Sequence, residues 1–150
     1  DADAFHRHHP GGMLGAGLRP ILEVLRFRVG DNVVVVAESH TVQEALVAAA
    51  ADRRAGAILL VDGEGRLTGI FTDGDLRRLV RTEGADGLQR PIVEVMTVNP
   101  RRLDAQSLVR DAVRLVRERR VDEIPVVDEG GAPVGIVDVQ DLIAMKAVQE

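Results

Sequence analysis

The chain has 150 residues, 45% of them apolar and 29% charged, with a net charge of −5. This is the profile of a folded globular protein. It has no cysteine, tryptophan or tyrosine and only three phenylalanines, which excludes disulfide scaffolds, thiol catalysis and cysteine-held zinc and argues against an aromatic platform for single-stranded nucleic acid. The acidic balance argues against a general phosphate-backbone binder, and apolar runs such as Val33–Ala37 and Val47–Ala51 fall far short of a membrane span. No nucleic acid or membrane partner is expected, and the lack of cysteine is compatible with a cytoplasmic location.

Residues 1–30 begin with a polar stretch, Phe5-His6-Arg7-His8-His9-Pro10, then turn glycine-rich through Gly11, Gly12 and Gly15. Ile21–Val29 alternates poorly and reads as a short helix or an arm. The chain starts at Asp1 without a methionine, so residues 1–30 are expected to be the end of a preceding domain and a linker. His6, His8 and His9 could bind a stray divalent ion, but a solvated terminal segment accounts for them better, and no metal site is expected.

From residue 31 the pattern becomes regular. Val33–Val36 is a β-branched run and hence a strand. Thr41 caps a helix, with Glu44 as its capping-box partner and Val42, Ala45, Leu46 and Ala49 on one face. Gly56 is expected to end that helix. Ala57–Val61 and Leu67–Phe71, separated by the glycine-bearing turn Asp62–Arg66, read as a hairpin. Thr72 or Asp73 opens a further helix carrying Leu76, Leu79 and Val80. Pro91–Pro100 reads as a linker with a turn at Asn99-Pro100. Ser107 is then expected to cap a helix with Leu108, Ala112, Leu115 and Val116 on one face. A second hairpin follows over Ile124–Val127 and Val134–Val137, and a closing helix over Asp138–Met145.

The second series repeats the first. Val61-Asp62-Gly63-Glu64-Gly65-Arg66-Leu67-Thr68-Gly69-Ile70-Phe71-Thr72-Asp73-Gly74-Asp75-Leu76 returns 66 residues later as the run from Val127 to Leu142, with Val, Asp, Gly, Gly, Ile, Asp and Leu identical at seven positions. Recurring Gly and Asp imply a repeated backbone shape. The fold class expected is α+β: two β-α-β-β-α repeats, residues 31–90 and 91–150, packed as a pseudo-twofold pair because about sixty residues make a marginal core alone.

The turn Gly69-Ile70-Phe71-Thr72-Asp73-Gly74-Asp75 carries the candidate chemistry. A glycine near a strand end lets a ligand approach the backbone. A hydroxyl beside the free amides of a helix N-terminus suits a phosphate. A carboxylate one turn on can accept both hydrogen bonds of a ribose diol. The competing reading is that Thr72 only caps the helix, with Asp75 its N3 carboxylate. In the second copy Asp138 stands where the hydroxyl belongs and repels phosphate. That site is then empty, or takes a ligand without phosphate there, or takes a cation-bridged one, and a single competent site is favoured.

Two further patterns carry less. Gly63–Gly69 has one residue too many for a dinucleotide fingerprint and sits in a hairpin. Arg110, Arg114, Arg117, Arg119 and Arg120 alternate with Asp111, Glu118, Asp122 and Glu123 and read as a solvated face, although one or two of them can still reach a ligand phosphate.

The duplicated unit, with Gly-Ile-Phe-Thr-Asp-Gly-Asp-Leu at a strand-to-helix turn, resembles a tandem cystathionine-β-synthase (CBS) domain pair, or Bateman module, over about residues 31–146. His9-Pro10-Gly11-Gly12-Met13-Leu14-Gly15 ahead of such a pair, and Phe71–Arg78 within it, also resemble the arabinose-5-phosphate isomerase family, in which a sugar isomerase (SIS) domain ends at such a segment. The resemblance implies that Gly69, Thr72, Asp73, Asp75 and, in the second copy, Asp141 contact a nucleotide-type ligand. It places His9 in the active site of the intact isomerase, where a near-neutral base suits proton transfer between sugar carbons. No catalytic residue and no required cofactor are expected within this chain.

Three functions follow. The favoured one is a regulatory module that senses an adenine nucleotide or a nucleotide-sugar such as CMP-Kdo, and so controls a linked SIS domain interconverting ribulose 5-phosphate and arabinose 5-phosphate. The alternative is a ligand-free structural module that holds a homodimer or higher homo-oligomer. Catalysis by this chain itself is the least supported, because residues 31–150 offer no credible acid–base pair.

Overall fold

The computed structural model describes residues 13–50 and 55–145; His6, His8 and His9 lie outside them. Within the first repeat the strands β2 (Val35–Ala37), β3 (Ala57–Val61) and β4 (Leu67–Thr72) form one sheet with the edge strand β5 (Thr97–Val98), in the order β2-β3-β4-β5. The second sheet holds β6 (Leu103–Asp104), β7 (Glu123–Val127), β8 (Pro133–Asp138) and β1 (Phe27–Arg28), in the order β1-β8-β7-β6. In each, a parallel pair (β2 with β3, β6 with β7) leads into an antiparallel hairpin.

The edge strands are exchanged between the halves. Gly69 and Ile70 pair with Val98 and Thr97 from the segment ahead of the second repeat. The equivalent Gly135 and Ile136 pair with Arg28 and Phe27 from the segment ahead of the first. Pro91–Pro100 therefore supplies a strand of the first sheet besides linking the halves, and Phe27–Arg28, expected to lie outside the repeats, complete the second sheet. The short helices α1 (Met13–Gly17) and α2 (Ile21–Val24) precede β1. The Ile21 amide donates to the Ser107 carbonyl at 2.9 Å, and Ile21, Leu25 and Phe27 are all buried. Each such side chain contributes about 1.5–3 kcal/mol, which anchors the arm.

The hairpin strands are buried on both faces, which is why Ala57–Val61 reads as an unbroken apolar run. Ile58 and Leu60 face the helices of their own repeat together with Val42, Ala45 and Phe71. Ala57, Leu59 and Ile70 turn the other way and join Val127, Ile136 and Phe27 in a core between the two sheets. Ile124, Val126 and Val137 close on Ile21, Val109 and Leu142 in the second repeat.

The helix boundaries include two corrections. In α3 (Val42–Ala49) the Thr41–Glu44 capping box forms as expected, but the helix stops at Ala49, before Gly56. Gly56 is not left-handed; it precedes β3, and its carbonyl accepts from the Asp73 amide at 2.9 Å. In α5 (Val109–Arg119) the cap is Leu108 and not Ser107. Asp111 reaches back to the Leu108 amide at 2.8 Å, so the carboxylate at N3 serves where the hydroxyl was expected. The remaining helices are α4 (Asp73–Glu83) and α6 (Val139–Ala144). No helix among the described residues is long and apolar enough to cross a membrane.

Candidate functional site: the cleft between the repeats

Strand β4 delivers Thr72 to the N-cap of α4, where extended backbone turns into helix. The Thr72 hydroxyl accepts from the Asp75 amide at 3.1 Å, and the Asp75 carboxylate accepts from the Thr72 amide at 2.9 Å. The other Asp75 oxygen takes the Arg78 guanidinium, one turn along the same helix. The capping box is therefore made. Of the first-turn amides, which lack intrahelical partners, Asp73 is bound by Gly56 and Asp75 by Thr72, and Gly74 lies between them.

This turn faces a cleft of about 420 Å³ between the repeats. Thr72, Gly74, Asp75 and Arg78 line it from the first repeat, Thr97, Pro100 and Arg101 from the exchanged segment, and Arg120, Asp122 and Glu123 from the second repeat. Arg120 sits there with left-handed backbone, φ 52°, an unfavourable conformation for an L-residue other than Gly, Asn or Asp.

Of the expected contacts, Thr72 and Asp75 line the cleft. Gly69 does not. It is buried in β4, and an added Cβ would meet Met96 Sδ at 2.3 Å, so its missing side chain makes room for Met96 under the sheet and not for a ligand. Asp73 lies against Gly56, with Glu123 beside it, and not among the lining residues. Asp141, the counterpart of Asp75, bonds Arg26 of the arm at 2.8 Å. Burial raises its carboxyl above the usual carboxylate range; Arg26 opposes that rise and nearby Asp138 adds to it. Asp138 caps α6 by accepting from the Gln140 amide at 2.7 Å. Residues 51–54, which correspond to Arg117–Arg120 by the 66-residue offset, lie outside the described residues. Arg101, Asp122 and Glu123 were not singled out as ligand contacts; the only signal is the basic pair Arg101-Arg102 directly after the Asn99-Pro100 turn.

The architecture is that of two exchanged-edge β-α-β-β-α units around a shared cleft. Comparison with known proteins agrees: the CBS domain family matches residues 28–82 and 92–147, and the chain belongs to that family as a tandem pair. Among its relatives is the arabinose 5-phosphate isomerase GutQ of Salmonella typhi, 38% identical over 137 residues, 91% of this chain and 41% of that protein. The chain thus spans about two-fifths of the length of the curated relatives it matches. The CBS domain of a membrane protein from Sphaerobacter thermophilus superposes with a TM-score of 0.73 at 25% identity, over 96% of both chains. The cytosolic domain of the Mg2+ channel MgtE in complex with ATP superposes with a TM-score of 0.63 at 30% identity, over 79% of this chain and 48% of that one.

Proposed function

We propose that this chain is the ligand-sensing regulatory module of a sugar-phosphate isomerase, and that a nucleotide or nucleotide-sugar occupies the Thr72–Asp75 cleft. The observation that carries this reading is the meeting of a helix N-terminus, a hydroxyl and a carboxylate with arginines from both repeats around one cavity of about 420 Å³. The Thr72 hydroxyl accepts one bond in its cap and keeps its proton to donate to a phosphate. The Gly74 amide adds to the positive helix end. A ribose diol displaces the 62%-exposed Arg78 side chain from Asp75 and frees it for the phosphate. Because the walls belong to different repeats, a ligand that prefers one spacing of the halves biases whatever is joined to them. The similarity to MgtE in complex with ATP favours an adenine nucleotide, and the similarity to arabinose 5-phosphate isomerases favours an end-product such as CMP-Kdo. On this reading the parent enzyme carries an SIS domain ahead of residue 30, with His9 in its active site, interconverts ribulose 5-phosphate and arabinose 5-phosphate in the cytoplasm, and is a homo-oligomer. This chain alone turns nothing over and requires no cofactor.

The closed capping box favours a second reading, a ligand-free assembly module. Against it, the apolar faces of α3, α4 and α5 are largely buried within the chain, leaving Val47 and Val80 as their exposed large apolar residues. A thermal-shift screen with AMP, ADP, ATP, CMP, CMP-Kdo and sugar phosphates decides between the two. Binding to the native state raises the melting temperature by mass action. A rise for one nucleotide that disappears in both Asp75→Ala and Asp75→Asn is the expected result. No rise with any of them, from a folded dimer, establishes the assembly module instead.

A further inference from the structure

We infer that the exposed side of α5, together with Leu18 and Arg19 of the arm, is the docking face for the domain that precedes residue 13 in the parent protein, and that this domain meets it with an acidic surface that also covers Leu18. This rests on the reading that a catalytic domain lies ahead of the module, and it is independent of what occupies the cleft. Arg110, Arg114 and Arg117 stand at i, i+4 and i+7 on one side of α5, and all are exposed. Leu18 and Arg19 run beside the start of that helix: the Val109 amide donates to the Arg19 carbonyl at 2.9 Å, and Pro20 pairs with Leu108. Leu18 is 57% exposed. Among the described residues none of these arginines has an ion-pair partner, although the chain as a whole carries a net charge of −5.

The first repeat is the control, because the same frame recurs there. The Val42 amide donates to the Arg90 carbonyl at 3.0 Å, and Pro91 pairs with Thr41. Arg90 is thus the counterpart of Arg19, Gln89 of Leu18 and Gln43 of Arg110. These positions are closed on one another: Gln89 Nε2 donates to Gln43 Oε1 at 2.6 Å, and Arg90 pairs with Glu83 and Glu94. Val47 and Ala50 stand where α5 has Arg114 and Arg117, so the fold itself does not require the arginines. Arg110 is even unfavourable locally, since it lies in the first turn, at the positive end of its helix. A cationic stripe that opposes its own helix end, beside an open leucine, is stabilised by an acidic surface laid across it. The path of the chain selects the occupant. Helix α1 packs against α5, with Ala16 set on the cluster that holds Val109 and Val113, so residues 1–12 lead onto this side of the second repeat. The chain spans about two-fifths of the length of the curated relatives it matches, and a domain tethered at this point has a high effective concentration at the face.

Amide hydrogen exchange over residues 14–22 and 108–117 compares the 150-residue chain with the intact parent protein, with no nucleotide present. Both segments are expected to exchange about tenfold more slowly in the intact protein. That slowing is lost in the double variant Arg110→Glu, Arg114→Glu and in about 0.5 M salt, and it is kept in Arg110→Lys, Arg114→Lys. Both variants of the 150-residue chain should melt within about 3 °C of the unmodified chain, which separates undocking from unfolding. Equal exchange in the short chain and the intact protein overturns the docking face, as does slowing that the glutamate pair leaves untouched. If the glutamate pair instead lowers the sedimenting mass of the 150-residue chain, the face joins two copies of the chain, and docking of the preceding domain is overturned. A parent protein with no folded domain ahead of residue 13 overturns the parent reading together with the docking face, whereas the other outcomes leave that reading standing.

Discussion

In the first repeat Asp75 takes its bonds from Thr72 and Arg78, both close to it in sequence. In the second repeat Asp141 takes the guanidinium of Arg26, from the arm that enters ahead of the first repeat. One turn is thus closed on itself and open to a cleft, while the other is bound to the chain that leads in from residues 1–20. The N-cap differs in the same sense. Thr72 has a proton to give a phosphate, whereas Asp138 brings a second negative charge within reach of Asp141. A duplicated motif has become one turn suited to an anion and one suited to holding the arm in place.

The largest expected effect tests what the repeated glycine is for. A Cβ at Gly135 would lie 2.5 Å from the backbone oxygen of Phe27, so Gly135→Ala must push β1 off the sheet edge. The same change at Gly69 meets the end of the Met96 side chain, which can rotate away. Gly135→Ala is expected to cost about 3 kcal/mol and Gly69→Ala about 1 kcal/mol, read from urea unfolding midpoints. Equal costs would mean that the arm is not a working strand of the second sheet.

Exchanging the caps is a gentler break. Both Asp and Thr are good N-caps, so Thr72→Asp should change stability by about 0.5 kcal/mol or less while abolishing the thermal shift from any phosphate-bearing ligand. Thr72→Ala, which loses the cap, should cost about 1 kcal/mol. A ligand response that survives Thr72→Asp would remove the phosphate from this turn.

The repeat was readable in the sequence because its identical residues are local-shape residues. Asp62 Oδ1 accepts from the Glu64 and Arg66 amides, and Asp128 Oδ1 from the Gly130 and Ala132 amides. Gly65 and Gly131 hold φ near 81° and 89° in the same turns, where other residues are strained. The hairpins and the Thr72–Asp75 cap follow from such local rules. The exchanged strands do not, since two residues are too few to show alternation and their partners are distant in sequence. On the far wall of the cleft, Arg120 is one of the arginines expected to be able to reach a ligand phosphate, but Val121–Glu123 was hidden likewise: it looks like the end of a charged helix, and only the packing of the repeats sets it opposite Thr72. Gly69 misled because a glycine leaves room without saying whether a ligand or Met96 fills it.

The smallest effect concerns the charge on Asp141. Burial, opposed by Arg26 and reinforced by Asp138, holds its carboxyl above the usual range in the folded chain. The folded state therefore binds this proton more tightly than the unfolded state. The stability it contributes is fully present below the ordinary carboxylate value and is lost as pH rises through the raised one. Asp141→Asn removes the ionised, partly buried group, so it should raise the unfolding midpoint slightly at about pH 7, with the gain fading toward about pH 4. The gain should stay below about 1 kcal/mol, because Asp141 is only partly buried and Arg26 already offsets part of that cost. Arg26→Ala should destabilise the parent at neutral pH and leave Asp141→Asn almost unchanged, the coupling expected of a direct pair. If Asp141→Asn instead destabilises at neutral pH, the attraction of Arg26 outweighs the burial of Asp141, and charge adds to the hold that Ile21, Leu25 and Phe27 give the arm.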